Sequence, residues 1–179
     1  MPVALTTTYS KLKKSFSDGY RIALMQGGQG AGKNWASALY LLERQDCRII
    51  TAMTDTYSNL KDGIITDYEA IFQWSGLNFY DFFNKAEMTL TWGKSKIQFR
   101  YLHDLKGGSG KSKRRDLLYI NEGNRVGWAA VEHYIARSKE IIIDFNPDRA
   151  FWAHEQLQPR EDSNLFIVTY RDNEMCPKN

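Results

Sequence analysis

At 179 residues, with 42% hydrophobic, 25% charged and 13% aromatic residues, the chain is the size of one domain and far from the composition of disordered proteins. Its formal net charge is +3, yet residues 85–115 hold nine Lys/Arg against two acids, a local +7 that favours a polyanionic partner. No stretch approaches the roughly eighteen apolar residues of a membrane span, no secretory leader is evident, and Cys47, Cys176, His103, His133 and His154 show no metal-ligand spacing. These features argue for a soluble cytosolic protein and against a zinc site or disulfide framework.

In chain order, apolar runs alternate with helical periodicity: strand 21–26, helix 35–44, strand 47–53, then helix 57–72, where Leu60, Ile64, Tyr68 and Ile71 recur at helical spacing. Period two follows in 87–92 and 95–101 around Gly93-Lys94, which predicts a β-hairpin inserted into the α/β order. Lys106 to Arg115, KGGSGKSKRR, reads as a flexible basic loop; its Gly110-Lys111-Ser112 lacks the upstream glycine of a phosphate loop and precedes a strand. Strand 117–121, helix 127–137, strand 140–145, a short helix 150–157 and strand 164–169 complete the chain. The alternation predicts a mainly parallel sheet flanked by helices on both faces, with ligands at the carboxyl ends of its strands. Trp35, Trp74, Trp92, Trp128 and Trp152 are scattered, which predicts core packing and not a stacking platform.

Between the first strand and the helix after it stands Gly27-Gly28-Gln29-Gly30-Ala31-Gly32-Lys33-Asn34, a G-x-x-x-x-G-K loop. Glycines let backbone N–H groups turn onto phosphate oxygens, the helix adds its positive end, and Lys33 supplies a mobile cation. Gly28, Gln29, Gly30, Ala31, Gly32, Lys33 and Asn34 are therefore the nucleotide-binding candidates, and a triphosphate suits them. Asn34 stands where a Ser or Thr hydroxyl normally meets Mg²⁺, which predicts rearranged or weak metal binding.

The apolar run Leu117-Leu118-Tyr119-Ile120 leads into Asn121-Glu122, the place where nucleotide hydrolases put an acidic pair. Glu122 is expected to orient or deprotonate the attacking water; Asn121 occupies the position of the usual first acid. In Ile141–Asn146, Asp144 and Asn146 share a face by period two. Asp144 is expected to supply the metal-facing charge that Asn34 and Asn121 lack, and Asn146 to bond the γ-phosphate or the water; ordinary turn chemistry is the alternative for this segment. Lys33 and Glu122 should then meet across adjoining strand tips and share one triphosphate.

Taken together, MQGGQGAGKNWASALYLL, RRDLLYINEGN, IIIDFNP and FIVTYRDN resemble, in order and spacing, the ATPase domain of the large terminase subunit of tailed phages, over roughly residues 19–173. The resemblance implies a P-loop NTPase fold of the RecA-like (ASCE) kind, with 1–179 a single ATPase domain, 85–115 its hairpin and loop insertion, and no nuclease domain in the chain. It implies that Lys33 holds the β- and γ-phosphates of ATP, that Glu122 is the catalytic carboxylate, and that Asn146 couples hydrolysis to DNA movement. Implied partners are Mg²⁺, double-stranded DNA held by its backbone, the small terminase subunit and a homo-oligomeric ring on the capsid portal, in the host cytoplasm and away from membranes. A trans-acting arginine is also implied, with Arg114 and Arg115 favoured over Arg125 and Arg137. Asn34 and Asn121 in place of hydroxyl and acid predict slow hydrolysis. The alternatives are a nucleotide-binding assembly module without hydrolysis and another, helicase-like, DNA-stimulated ATPase.

Overall fold

The computed structural model describes residues 5–102 and 114–176, so His103 and most of the basic loop, including Gly110-Lys111-Ser112, lie outside the described residues. One sheet holds β1 (Ile22–Gly27), β2 (Ile49–Thr54), β3 (Phe83–Asn84), β4 (Thr89–Trp92), β5 (Ser95–Tyr101), β6 (Arg115–Ile120), β7 (Ser138–Phe145) and β8 (Ser163–Val168). Its order is β3-β4-β5-β2-β6-β7-β1-β8, parallel from β5 onward, with β3 and β4 antiparallel at one open edge. The hairpin pairs Trp92 with Ser95 around Gly93-Lys94. Its second strand also pairs in parallel with β2, Thr54 opposite Tyr101, so the hairpin widens the main sheet.

The helices are α1 (Thr7–Ser17), α2 (Lys33–Glu43), α3 (Tyr57–Asn59), α4 (Thr66–Trp74) and α5 (Trp128–Ala136). Between α3 and α4 the chain passes through a π-helical segment, Leu60–Ile65, and the expected helix 150–157 is a π-helical turn at Ala153–Leu157. The apolar periodicity gives no sign of α1. Its buried face is Thr8, Tyr9, Leu12 and Ser15, and two hydroxyl residues dilute the apolar stripe. The Thr6 side chain accepts from the Tyr9 N–H and fixes where it starts.

Strand alternation divides the core in two. Met25, Tyr119 and Ile142 pack with Tyr9, Leu12, Leu41 and Tyr68 from α1, α2 and α4, while Leu24, Ile120 and Ile143 pack with Val131 and Tyr134 of α5 and Leu157. Each fully buried Leu or Ile contributes about 1.5–3 kcal/mol to holding these layers on the sheet. Trp35, Trp92, Trp128 and Trp152 are partly buried and pack against the two cores, whereas Trp74, 55% exposed, departs from the core expectation. An indole N–H needs a partner, which Trp152 finds at the core margin by donating to the Val126 carbonyl at 2.6 Å. The order also puts β7 between β1 and β6, so the tips of β1 and β6 face each other across β7 and do not adjoin.

Candidate nucleotide site

The glycine-rich turn leaves β1 at Gly27 and enters α2 at Lys33. Gly30 (φ +76°) and Gly32 (φ +71°) adopt left-handed backbone, and a Cβ on Gly32 would meet Asn173 Cγ at 2.9 Å, so the curl needs glycine on two counts. Two side chains brace it from outside. Thr8 Oγ1 donates to the Ala31 carbonyl at 2.7 Å, and Asn173 Nδ2 donates to the Gly30 carbonyl at 2.8 Å. The turn opens on a cavity of about 380 Å³, lined also by Trp35, Asp67, Glu122, Asp144, Asn146, Asn173 and Met175.

Lys33 is buried, and its Nζ donates to the carbonyls of Gly27 (2.6 Å) and Gly28 (2.9 Å) and to Asn146 Oδ1 (3.1 Å). Burial pushes its pKa down, while Asp144, Glu122 and Asp148 oppose this through space and not by hydrogen bonds. A desolvated cation held only by neutral oxygens favours an anionic ligand, and a triphosphate meets that need.

Asn34, Asn121 and Asp144 come together in one network. Asn34 Oδ1 accepts from Asn121 Nδ2 at 2.9 Å and lies 3.3 Å from Tyr119 OH, whose single proton goes to Asp144, while Asn34 Nδ2 faces the Gly63 side and Asp67 lines the same cavity. Asn121 Nδ2 also lies 3.2 Å from both oxygens of the fully buried Asp144, which accepts in addition from Tyr119 OH and, at 3.0 Å, from the Glu122 N–H. Burial pushes Asp144 up from its ordinary range; burial, then the charge of Asp144, pushes Asp67 up to about 6. Among the described residues no three His, Cys, Asp or Glu side chains converge on a metal position. Mg²⁺ seldom needs such a cage, since one or two carboxylates and the nucleotide's own phosphates commonly suffice, and Asp144 with the Asn34 oxygen fits that donor set, whereas Asn121 turns its NH₂ toward both.

Glu122 follows β6 with φ +50° and ψ +51°, a left-handed conformation that costs a non-glycine residue of order 1 kcal/mol and concentrates at functional positions. Its carboxylate pairs with Arg125 Nε at 3.0 Å. Burial raises its pKa against the opposing charge of Arg125.

The favoured arginines lie elsewhere. Arg115 is 4% exposed, donates from Nε to Thr51 Oγ1 at 2.8 Å and stacks its guanidinium over the Tyr134 ring at 4.3 Å. It is a core arginine at the amino end of β6, which corrects the expectation that it reaches toward a neighbouring subunit. Arg114, beside it, is exposed at that same end. Arg125, ranked lower on sequence, is the arginine that stands at the site. Asp67 and Thr8 are further site residues that no motif announced, because each arrives by tertiary packing, while Trp35 and Asn173 lie within the motif segments but carry no site assignment there.

No protein-family model matches the sequence, and no curated protein matches it. Solved structures do. A large terminase from a thermophilic bacteriophage aligns with a TM-score of 0.79 at 12% identity, over 98% of this chain and 48% of its own. The same terminase in complex with ATP-γ-S gives 0.75 at 12% identity, over 98% and 47%. A mutant ATPase domain of the large terminase of Thermus phage P74-26 gives 0.65 at 11% identity, over 93% of this chain and 81% of its own. The chain has the fold of large terminase ATPase domains, an open P-loop NTPase sheet, and spans about half the length of the first of these terminases.

Proposed function

We propose that this chain is the ATPase domain of a large terminase, a Mg²⁺-dependent ATP hydrolase whose turnover moves double-stranded DNA into a procapsid. The observation that carries the reading is that Lys33 and Glu122, from the two sides of β7, line one cavity with Asn146 at the β7 tip. Lys33 and the N–H groups of residues 28–34 take the phosphates. Glu122 orients the attacking water and accepts its proton. Asn146, already bonded to Lys33, links the state of the γ-phosphate to β7. A bound Mg²⁺ would neutralise phosphate charge, with Asp144 and the Asn34 oxygen as its protein partners, while Asn121, expected beside them, turns its NH₂ to both and so would orient them and not bind the metal itself.

In this reading DNA is held by its phosphate backbone near the basic 85–115 segment. The domain works in a portal-bound ring with the small terminase subunit, in the host cytoplasm, and Arg114 is the exposed candidate for acting on a neighbour's nucleotide. None of the described helices is long and apolar enough to cross a membrane. A second reading, nucleotide binding without turnover, is supported by the Asn34–Asn121 bond, which engages the very oxygen that a metal would need. Phosphate release, measured with and without DNA for the wild type and Glu122→Gln, separates the two. Release that DNA stimulates and Glu122→Gln abolishes supports the hydrolase; equal background release from both proteins supports the binding module.

A further inference from the structure

We propose that Asp67 is a positioning residue of this site, fixing which way the Asn34 carboxamide faces at the end of the phosphate-binding turn. The inference rests on the nucleotide reading of the cavity. An asparagine carries an oxygen on one side and an NH₂ group on the other, and its partners decide which of the two meets a ligand. At position 34 the two sides face different neighbours. The oxygen faces Asn121 and Tyr119, toward the buried carboxylate of Asp144.

The nitrogen faces the helix of residues 60–74: it would lie 4.0 Å from a Cβ placed on Gly63, four residues before Asp67, and Asp67 lines the same cavity as Asn34 and feels its amide. A carboxylate only accepts, so Asp67 selects the NH₂ side. Were Asp67 absent, the amide could rotate and turn its NH₂ toward the place where a cation would sit, repelling it. A serine or threonine hydroxyl, which donates and accepts from one atom, would need no such guide.

The helix geometry supplies the second support. Asp67 lies in the first turn of α4, directly after the π-helical Leu60–Ile65, and π turns recur beside functional sites. One inserted residue rotates the next turn by about 100° relative to a regular α-helix. With that rotation Asp67 borders the cavity while Tyr68, Ile71 and Phe72 stay buried in the core.

The test is calorimetric binding of ATP-γ-S to the full chain, in Mg²⁺ and in EDTA. Lys33→Ala probes the underlying reading and should weaken binding in both buffers. Asp67→Ala and Asp67→Leu should weaken binding in Mg²⁺ by about tenfold, the scale of one charge-assisted hydrogen bond, and change it little in EDTA. Asp67→Asn retains an acceptor oxygen and should recover most of the loss. In an Asn34→Ala background, Asp67→Ala should add nothing further. If the wild type binds no ATP-γ-S, the nucleotide reading falls and the inference with it. If the wild type and Lys33→Ala behave as stated but Asp67→Ala and Asp67→Leu bind like the wild type, the inference alone is overturned. Asp67→Asn as weak as Asp67→Ala, or additive effects with Asn34→Ala, would also overturn it, since charge or general packing would then be the cause.

Discussion

The Asn34 carboxamide oxygen lies 2.9 Å from the Asn121 carboxamide nitrogen, so the two residues that replace a hydroxyl and an acid bond to each other. Each makes the other tolerable: an amide donor at 121 satisfies the oxygen at 34 and at the same time faces both oxygens of buried Asp144. Asn121→Asp would remove those donors and set a second carboxylate against Asp144. We expect a loss of about 2–3 kcal/mol at pH 7, read as a lower denaturant midpoint. The loss should shrink toward pH 5, where the carboxyl pair can retain a proton, and Mg²⁺ should restore part of it. An unchanged midpoint at pH 7 would refute the network.

Glu122 offers a case where stability and function pull apart. Its left-handed backbone is a conformation glycine adopts freely, so Glu122→Gly should raise thermal stability by about 1 kcal/mol while removing phosphate release. Glu122→Gln, which keeps the strain, should remove release with no gain in stability. A Tm for Glu122→Gly at or below that of Glu122→Gln would show that the strain is not there.

How much of the fold and site is legible depends on what kind of constraint each residue obeys. Strands such as β6 and β7 show in the sequence because their alternate residues feed two cores, and the phosphate turn shows because its φ angles demand glycine at 30 and 32. Asp144 and Asn146 are readable as one face of one strand. Asp67 is not, because a π turn and the approach of α4 to α2, neither encoded in a spacing, bring it to the cavity that Asn34 lines. Arg115 misleads through its neighbours: the adjoining basic tract suggests solvent, whereas Thr51 and the Tyr134 ring give it a place inside. α1 escapes because Thr8 and Ser15 face inward, and Thr8 is there to hold the Ala31 carbonyl.

The Arg125–Glu122 pair predicts a pH effect with a definite sign. Burial raises the Glu122 pKa and the charge of Arg125 restrains that rise, because a nearby cation favours the carboxylate. Turnover that needs an ionised Glu122 is lost as pH falls through its pKa. Arg125→Ala removes the restraint, so the acid limb of the rate profile should move to higher pH while the rate on the alkaline plateau changes less. A limb that stays in place, or moves down, would argue against Glu122 as the titrating group.

Backbone-only DNA binding by the 85–115 segment has a thermodynamic signature. Each phosphate neutralised by Lys or Arg releases counterions, so affinity for random-sequence duplex should fall at least about tenfold between 50 and 200 mM salt. Reversing the exposed Lys94 and Lys96 to Glu should flatten that slope and leave ATP-γ-S binding unchanged. Duplex affinity indifferent to salt would count against a phosphate-backbone contact, and an unaltered slope in the double variant would move the contact elsewhere.

Arg115 separates a structural arginine from a catalytic one. Its guanidinium is desolvated, which lowers its pKa, and it is held by the Thr51 hydroxyl and the face of Tyr134, a partner set that prizes a flat delocalised cation. Arg115→Ala leaves a cavity and an orphaned hydroxyl, so we expect a loss of about 2–4 kcal/mol by chemical denaturation. Arg115→Lys should recover little of it, because an ammonium is more strongly hydrated and cannot stack in the same way. Phosphate release per folded molecule should be unaffected in Arg115→Lys, whereas a residue acting on a neighbour's nucleotide would lose release with its stability intact. That second outcome would return Arg115 to the subunit interface and contradict the buried position described for it.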